Sequence, residues 1–275
     1  MAKEIFTASR KLEIEDYAEW ILEDYYADTH EINPFIITYD EGIPLFEKDY
    51  DSSFKAMIQF AENRFWIYVN KKDGEAYNAA EMRFSAAHEL GHYFIPEHRE
   101  KLMNEGILSF SDGEAVVSGD IYEKEAEFFA SCLLMPRKHF LQDIEAEELS
   151  FNRVVALADK YKVSLTAILL RYMYLSRLPM MIICSRNGSK GWKTKGNGFP
   201  FWDLNLGENY EAPVSTAPQL YFTGDIPVTN ETRNIPAGLW FKPKTEAQRL
   251  LIFREFNFLQ KAAQQVMTVV WKNPG

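Results

Sequence analysis

Cysteine is nearly missing: Cys132 and Cys184 are the only two in 275 residues. Two thiols cannot staple a chain of this length, and such sparse use fits a reducing compartment. Basic runs are also absent. Neither half holds five consecutive Lys or Arg, and the net charge is −10, so the electrostatic footprint of a duplex-DNA or anionic-membrane binder is missing. Long apolar runs are lacking too. The most apolar stretch, Val163 to Cys184, is broken by Arg171, Arg177 and Pro179, and no segment can span a bilayer. The first residues, M-A-K-E-I-F-T-A-S-R-K, have no apolar core of the kind a secretory signal needs. Together these absences predict a soluble cytoplasmic protein with no membrane partner. There is no internal repeat, no low-complexity tract and no long Pro/Gly/Ser linker. What is present, 47% hydrophobic and 25% charged residues, suffices for a real core in one large domain or two smaller ones.

Periodicity divides the chain. Residues 11–27 place Leu12, Ile14, Tyr17, Ala18, Ile21, Leu22 and Tyr25 at helical spacing, and the helix is expected to end near Asp28 and His30. Pro34–Tyr39, Ile43–Phe46, Phe54–Phe60 and Phe65–Asn70 are short β-branched or aromatic runs that read as an antiparallel sheet. Glu81–Tyr93 is helical, Ser109–Asp120 is a polar loop, Ile121–Met135 is a helix stopped by Pro136, and Leu149–Ser176 is a helical stretch. Beyond Leu178 the texture becomes richer in Pro, Gly, Asn and aromatics. Strand-like runs follow at Met180–Ser185, Leu220–Phe222, Leu239–Phe241, Leu250–Phe258 and Val266–Trp271. The fold class is therefore α+β in three parts: residues 1–140, a helical connector at 141–178 and a mostly β domain at 179–275. Four of the six tryptophans, Trp192, Trp202, Trp240 and Trp271, fall in the last part and read as core.

Chemistry concentrates in F-S-A-A-H-E-L-G-H-Y-F. His88 and His92 are four residues apart, which on a helix leaves them about 40° apart around the axis and one turn apart along it. Both imidazoles can then reach one metal ion. Glu89 sits where a general base can take the proton of an attacking water, the arrangement of a zinc hydrolase. With 5 His and 27 Glu in the chain, H-E-x-x-H arises by chance in roughly one sequence in a hundred.

A hydrolytic zinc wants a third protein ligand. His98 stands at the metzincin offset, but the position where metzincins need Gly is Ile95, a β-branched residue unsuited to positive φ. Among Glu97, Arg99 and Glu100, His98 reads instead as a solvated loop residue. E-K-E-A-E-F-F-A-S-C-L-L-M-P offers a better ligand in Glu123, with Glu127 one turn on to hold a ligating imidazole through a hydrogen bond. Glu125, facing another way, reads as an exposed first-turn acid favoured by the helix dipole. Cys132 and Met135 read as core. Tyr93, Tyr122 and His139 remain open as the group that stabilises an oxyanion, and Phe65–Asn70 is the expected sheet edge for a substrate strand.

F-S-A-A-H-E-L-G-H followed some thirty residues later by E-x-x-A-x-x-F-A-x-x-L-L-M-P resembles the ImmA/IrrE family of zinc metallopeptidases, the second motif being the more specific. The resemblance implies a zincin-like peptidase domain in which His88, His92 and Glu123 hold the metal and Glu89 is the base; two nitrogens and one oxygen with an open fourth position suit zinc or manganese. Where that family usually shows Asn or Asp, residue 127 is Glu. The family also implies a helix-turn-helix-like segment, here within Val155–Leu175, and a C-terminal region that can resemble a GAF-type sensor, to which S-R-N-G-S-K-G-W and G-F-P-F-W are similar in character. Several members are cytoplasmic antirepressor proteases, so the implied substrate is a helix-turn-helix repressor. Arg171 is the only cation on the second helix of that segment, so direct nucleic-acid binding is not expected. One rival is a metal-stabilised regulatory module that sequesters a repressor without cleaving it. Another is a peptidase of small peptides.

Overall fold

The computed structural model describes residues 6–25, 31–50, 54–71, 80–105, 107–108, 121–224 and 227–272. The loop expected at Ser109–Asp120, and the end of the first helix near Asp28 and His30, lie outside the described residues. The architecture is α+β with two sheets. The chain divides into two compact units, one of Met1–Asp143 with Leu157–Ala167, the other of Ile144–Ala156 with Ile168–Gly275. Among the described residues no helix is long and apolar enough to cross a membrane.

The first unit begins with α1 (Ala8–Tyr25), which buries Ile14, Ala18, Ile21 and Leu22, the i, i+4, i+7, i+8 stripe of an amphipathic helix. Pro34–Tyr39 was expected as a strand and is instead α2 (Pro34–Asp40). Local chemistry overrides its β-branched composition. Asn33 caps the helix by accepting the Phe35 N–H at 3.1 Å, and Pro34 supplies a helical φ at the first position. Then come β1 (Leu45–Lys48), β2 (Ala56–Ala61) and β3 (Arg64–Asn70). Glu62 and Asn63, both at positive φ, make the two-residue turn of the β2–β3 hairpin. β1 pairs with β3 in parallel, so the sheet is mixed rather than antiparallel.

Next along the chain are α3 (Ala80–Phe94), α4 (Pro96–Glu105), the short β4 (Ile107–Leu108), α5 (Ile121–Leu134) and α6 (Arg137–Ala146). The sheet order is β1-β3-β2-β4, which corrects one expectation: β3 is an inner strand, and the edges are β1 and β4. The stretch Leu149–Ser176 is two helices, α7 (Phe151–Tyr161) and α8 (Leu165–Leu175). Lys162 at φ 54° ends the first, and the Ser164 hydroxyl caps the second by accepting the Ala167 N–H. Arg171 is buried on α8.

In the second unit β5 (Met180–Arg186), β6 (Ser189–Lys195), β7 (Arg233–Pro236), β8 (Ile252–Gln260) and β9 (Gln265–Trp271) form an antiparallel sheet ordered β6-β5-β9-β8-β7. Two runs expected as strands are helical. Leu220–Phe222 is the end of a short helix, Ala217–Phe222, opened by Pro218, and Leu239–Phe241 belongs to a single turn, Ala237–Trp240, that Phe241 closes. Phe201 and Phe241 stack at 4.8 Å, and Phe199 and Phe253 pack around them. Trp240 and Trp271 are buried and Trp202 packs against the core, while Trp192 is exposed. A charged group is buried in this unit beside the polar Asn257, which donates to it at 3.3 Å. Glu255 on β8, fully buried, stands directly across from Arg233 on β7, accepts from its guanidinium at 2.7 Å and takes the Trp240 indole N–H at 2.8 Å.

Candidate metal centre

α3 is helical by composition, rich in Ala, Glu, Met and Leu and free of Pro and β-branched residues. Met82, Ala86, Ala87, Leu90 and Tyr93 are all buried, which makes it a central helix rather than a one-sided one. It packs on β2 and β3 and against α5. Gly91 sets the α3–α5 distance. A Cβ there would stand 3.1 Å from the Ala126 Cα, 3.2 Å from the Ala126 carbonyl oxygen and 3.2 Å from the Phe129 ring. Two of these three atoms are backbone of a packed helix and cannot swing aside. Gly91→Ala is therefore expected to destabilise the fold by about 1–3 kcal/mol, the usual cost of overpacking, and to push Glu123 away from the histidines. Thermal denaturation together with zinc titration checks both effects.

That close approach brings three side chains together. His88 Nε2 lies 3.2 Å from Glu123 Oε2, His92 Nε2 lies 3.1 Å from Glu123 Oε1, and the two Nε2 atoms are 3.2 Å apart. Among the described residues this is the one group of three donors able to hold a metal ion. The separations suit a single small cation: tetrahedral bonds of about 2.0–2.1 Å place donors about 3.3 Å from one another. Glu123 Oε1, the oxygen 3.1 Å from His92 Nε2, is itself buried among these donors.

Protonation is prepared in part. Desolvation pulls His92 down to about 4, with the nearby His88 adding to the effect against the hydrogen bond to Glu123, so its imidazole is neutral at pH 7. Glu123 is held down at about 2, because the two histidine partners outweigh its own desolvation. For His88, burial alone would lower the pKa, but the Glu123 hydrogen bond and the charges of Glu89, Glu123 and Glu127 leave it raised. A cation binding here competes with protonation of His88.

Glu89 is buried beside His88 on the same helix. Glu127 lies at the exposed rim, where desolvation by its surroundings and the Glu123 charge raise its carboxyl against the pull of His88. Among the hydrogen bonds of the described residues, none joins Glu127 to an imidazole. The Tyr93 hydroxyl donates to Glu41 at 3.2 Å, and Tyr122 packs against His98 with ring centroids 4.7 Å apart. Cys132 and Met135 are fully buried.

His98 and Glu125 overturn their expected places. Pro96 does not end in a loop but opens α4, and His98 on that helix is fully buried, with Nδ1 3.2 Å from the Nδ1 of His92. It therefore meets the other ring nitrogen of His92 from the one that faces His88 and Glu123, and is not among the donors that converge there. Glu125, expected exposed, is buried: His98 Nε2 lies 3.1 Å from its Oε2, and Arg10 of α1 reaches both of its oxygens at 2.9 and 2.8 Å. The charged neighbours of His98 misled the sequence reading, since Glu97 turns outward to share the same Arg10.

No curated protein matches the chain. A solved structure described as a Mycobacterium tuberculosis transcriptional regulator is similar in fold, with a TM-score of 0.61 at 13% identity, covering 98% of this chain and 78% of that one. Residues 39–173 match the family model of Peptidase M78, the IrrE N-terminal-like domain, and that stretch holds all three converging donors. Residues 39–173 are thus a domain of the ImmA/IrrE family.

Proposed function

We propose that the protein is a zinc-dependent metalloendopeptidase of the gluzincin type that cleaves a helix-turn-helix repressor in the cytoplasm and thereby derepresses mobile-element or stress-response genes. The observation that carries this reading is the convergence of His88, His92 and Glu123 beside Glu89. Three protein donors leave the fourth position free for chemistry, whereas a structural site fills it with a protein ligand. Zinc, or manganese, would supply Lewis-acid polarisation of a carbonyl and would make water more acidic. Glu89 accepts the proton of the attacking water and returns it to the departing amine. Glu127, at the rim, helps to set His88 through its charge.

Residues 1–140 serve as the peptidase part, 141–178 as the connector and 179–275 as a GAF-like sensor. The five-stranded antiparallel sheet with helical turns inserted between its strands supports the sensor reading. Burial of Arg171 supports a role other than DNA binding for the helix-turn-helix-like segment. The acidic chain suits a basic DNA-binding substrate, and both cysteines are free and buried, in keeping with a reducing compartment.

The test is to incubate the zinc-loaded protein with each helix-turn-helix repressor whose gene is found to adjoin its own and follow intact masses. Two discrete fragments summing to the parent plus water are expected. Release of an uncut repressor from its operator would instead establish the sequestering module.

A further inference from the structure

Behind the three donors runs a line of buried polar groups that metal binding alone does not require. His92 Nδ1 meets His98 Nδ1 at 3.2 Å, His98 Nε2 meets Glu125 Oε2 at 3.1 Å, and the Arg10 guanidinium grips the Glu125 carboxylate with two N–H groups. Arg10 is itself held by Glu97 at 3.0 Å and Glu13 at 2.9 Å. One chain of contacts thus joins α1, α3, α4 and α5.

The geometry points to His98 and Glu125 as positioning residues that fix the tautomer and ring orientation of His92 for metal binding, with Arg10 as their anchor. This rests on reading His88, His92 and Glu123 as a metal centre. Given that reading, hydrogen positions follow in sequence. His92 must present the Nε2 lone pair to the ion, so its proton sits on Nδ1 and is donated to His98. His98 then accepts at Nδ1, which places its own proton on Nε2, where it is donated to Glu125. Glu125 can only accept, and it receives the Arg10 N–H groups as well, so running the chain in reverse would turn the bare His98 Nε2 toward a carboxylate oxygen, acceptor against acceptor. Metal-binding histidines commonly donate directly to a carboxylate or a carbonyl. Here a second histidine is interposed, and the carboxylate lies one residue further from the ion.

The experiment uses the full chain with Glu125→Gln, His98→Phe and His98→Asn. Zinc affinity is read by competition with a chromophoric chelator, and ligand geometry by the visible spectrum of the cobalt-substituted protein. Glu125→Gln keeps volume, but either orientation of the amide points its NH2 at another donor, His98 or Arg10. Zinc affinity is expected to fall about 10–100-fold, the usual effect of losing such a partner, with a shifted cobalt spectrum. His98→Phe, which fills the space without an acceptor, should fall by a similar factor. His98→Asn, whose Oδ1 can take the His92 proton, should recover most of the affinity and a near wild-type spectrum. If His98→Phe fails to fold, the isosteric Glu125→Gln still decides.

Wild-type affinity and spectrum in Glu125→Gln would overturn the proposal, as would an Asn variant no better than Phe. A wild-type chain that binds neither zinc nor cobalt would instead bring down the metal centre itself.

Discussion

Glu89→Gln should lower turnover by about 10²–10⁴, the contribution of one positioned acid–base group, while metal content and thermal stability stay close to wild type. The reasoning is geometric. Glu89 shares a helix with two of the converging donors yet is not one of the three, so an isosteric amide removes proton transfer and leaves the metal-binding set intact. Parallel elemental analysis and cleavage kinetics on the two proteins give the result directly. A variant that cleaves at the wild-type rate would remove Glu89 from the chemistry and reopen the search for a base.

Glu123→Ala should have the other large effect: metal content is expected to drop from about one ion per chain to near zero at micromolar free zinc, because only two donors remain where a stable hydrolytic site needs three. His98→Ala is expected to weaken binding yet retain the ion at saturating zinc, since His98 meets the other ring nitrogen of His92 from the one that faces Glu123. Dialysis against graded zinc followed by elemental analysis separates the two. Retention of the ion by Glu123→Ala together with its loss from His98→Ala would return the third-ligand role to His98.

The parts of the fold that were legible in the sequence share one property, a local signal strong enough to survive tertiary context. H-E-x-x-H in a stretch rich in helix formers forces His88 and His92 onto one face, and the Ala- and Phe-rich face beyond Glu123 buries α5 against α3. Misreadings came where a short-range signal competed with composition. Asn33-Pro34 started a helix in residues whose side chains favour strands, and short runs such as Leu220–Phe222 are too brief for periodicity to mean anything. The support around the centre was illegible for a different reason. His98, Glu125 and Arg10 belong to α4, α5 and α1, and only packing brings them together, so charged neighbours made buried groups look solvated. Gly91 did carry a readable signal, a glycine inside a strong helix, which usually marks close packing.

The burial of Glu255 bears on how the second unit finds its strand alignment. β8 reads I-F-R-E-F-N-F-L-Q, with Phe253 on the face of Glu255 and Phe256 and Phe258 on the other, and a slide of two residues along β7 would keep every side chain on its own face. A slide would carry the Glu255 carboxylate away from the Arg233 directly opposite it and from the Trp240 indole, stranding a charge in the core. The ion pair thus acts as a registration mark. Its worth lies less in net stability than in making every misaligned pairing of β7 and β8 costly, which keeps a phenylalanine-rich strand from settling into the wrong partner during folding.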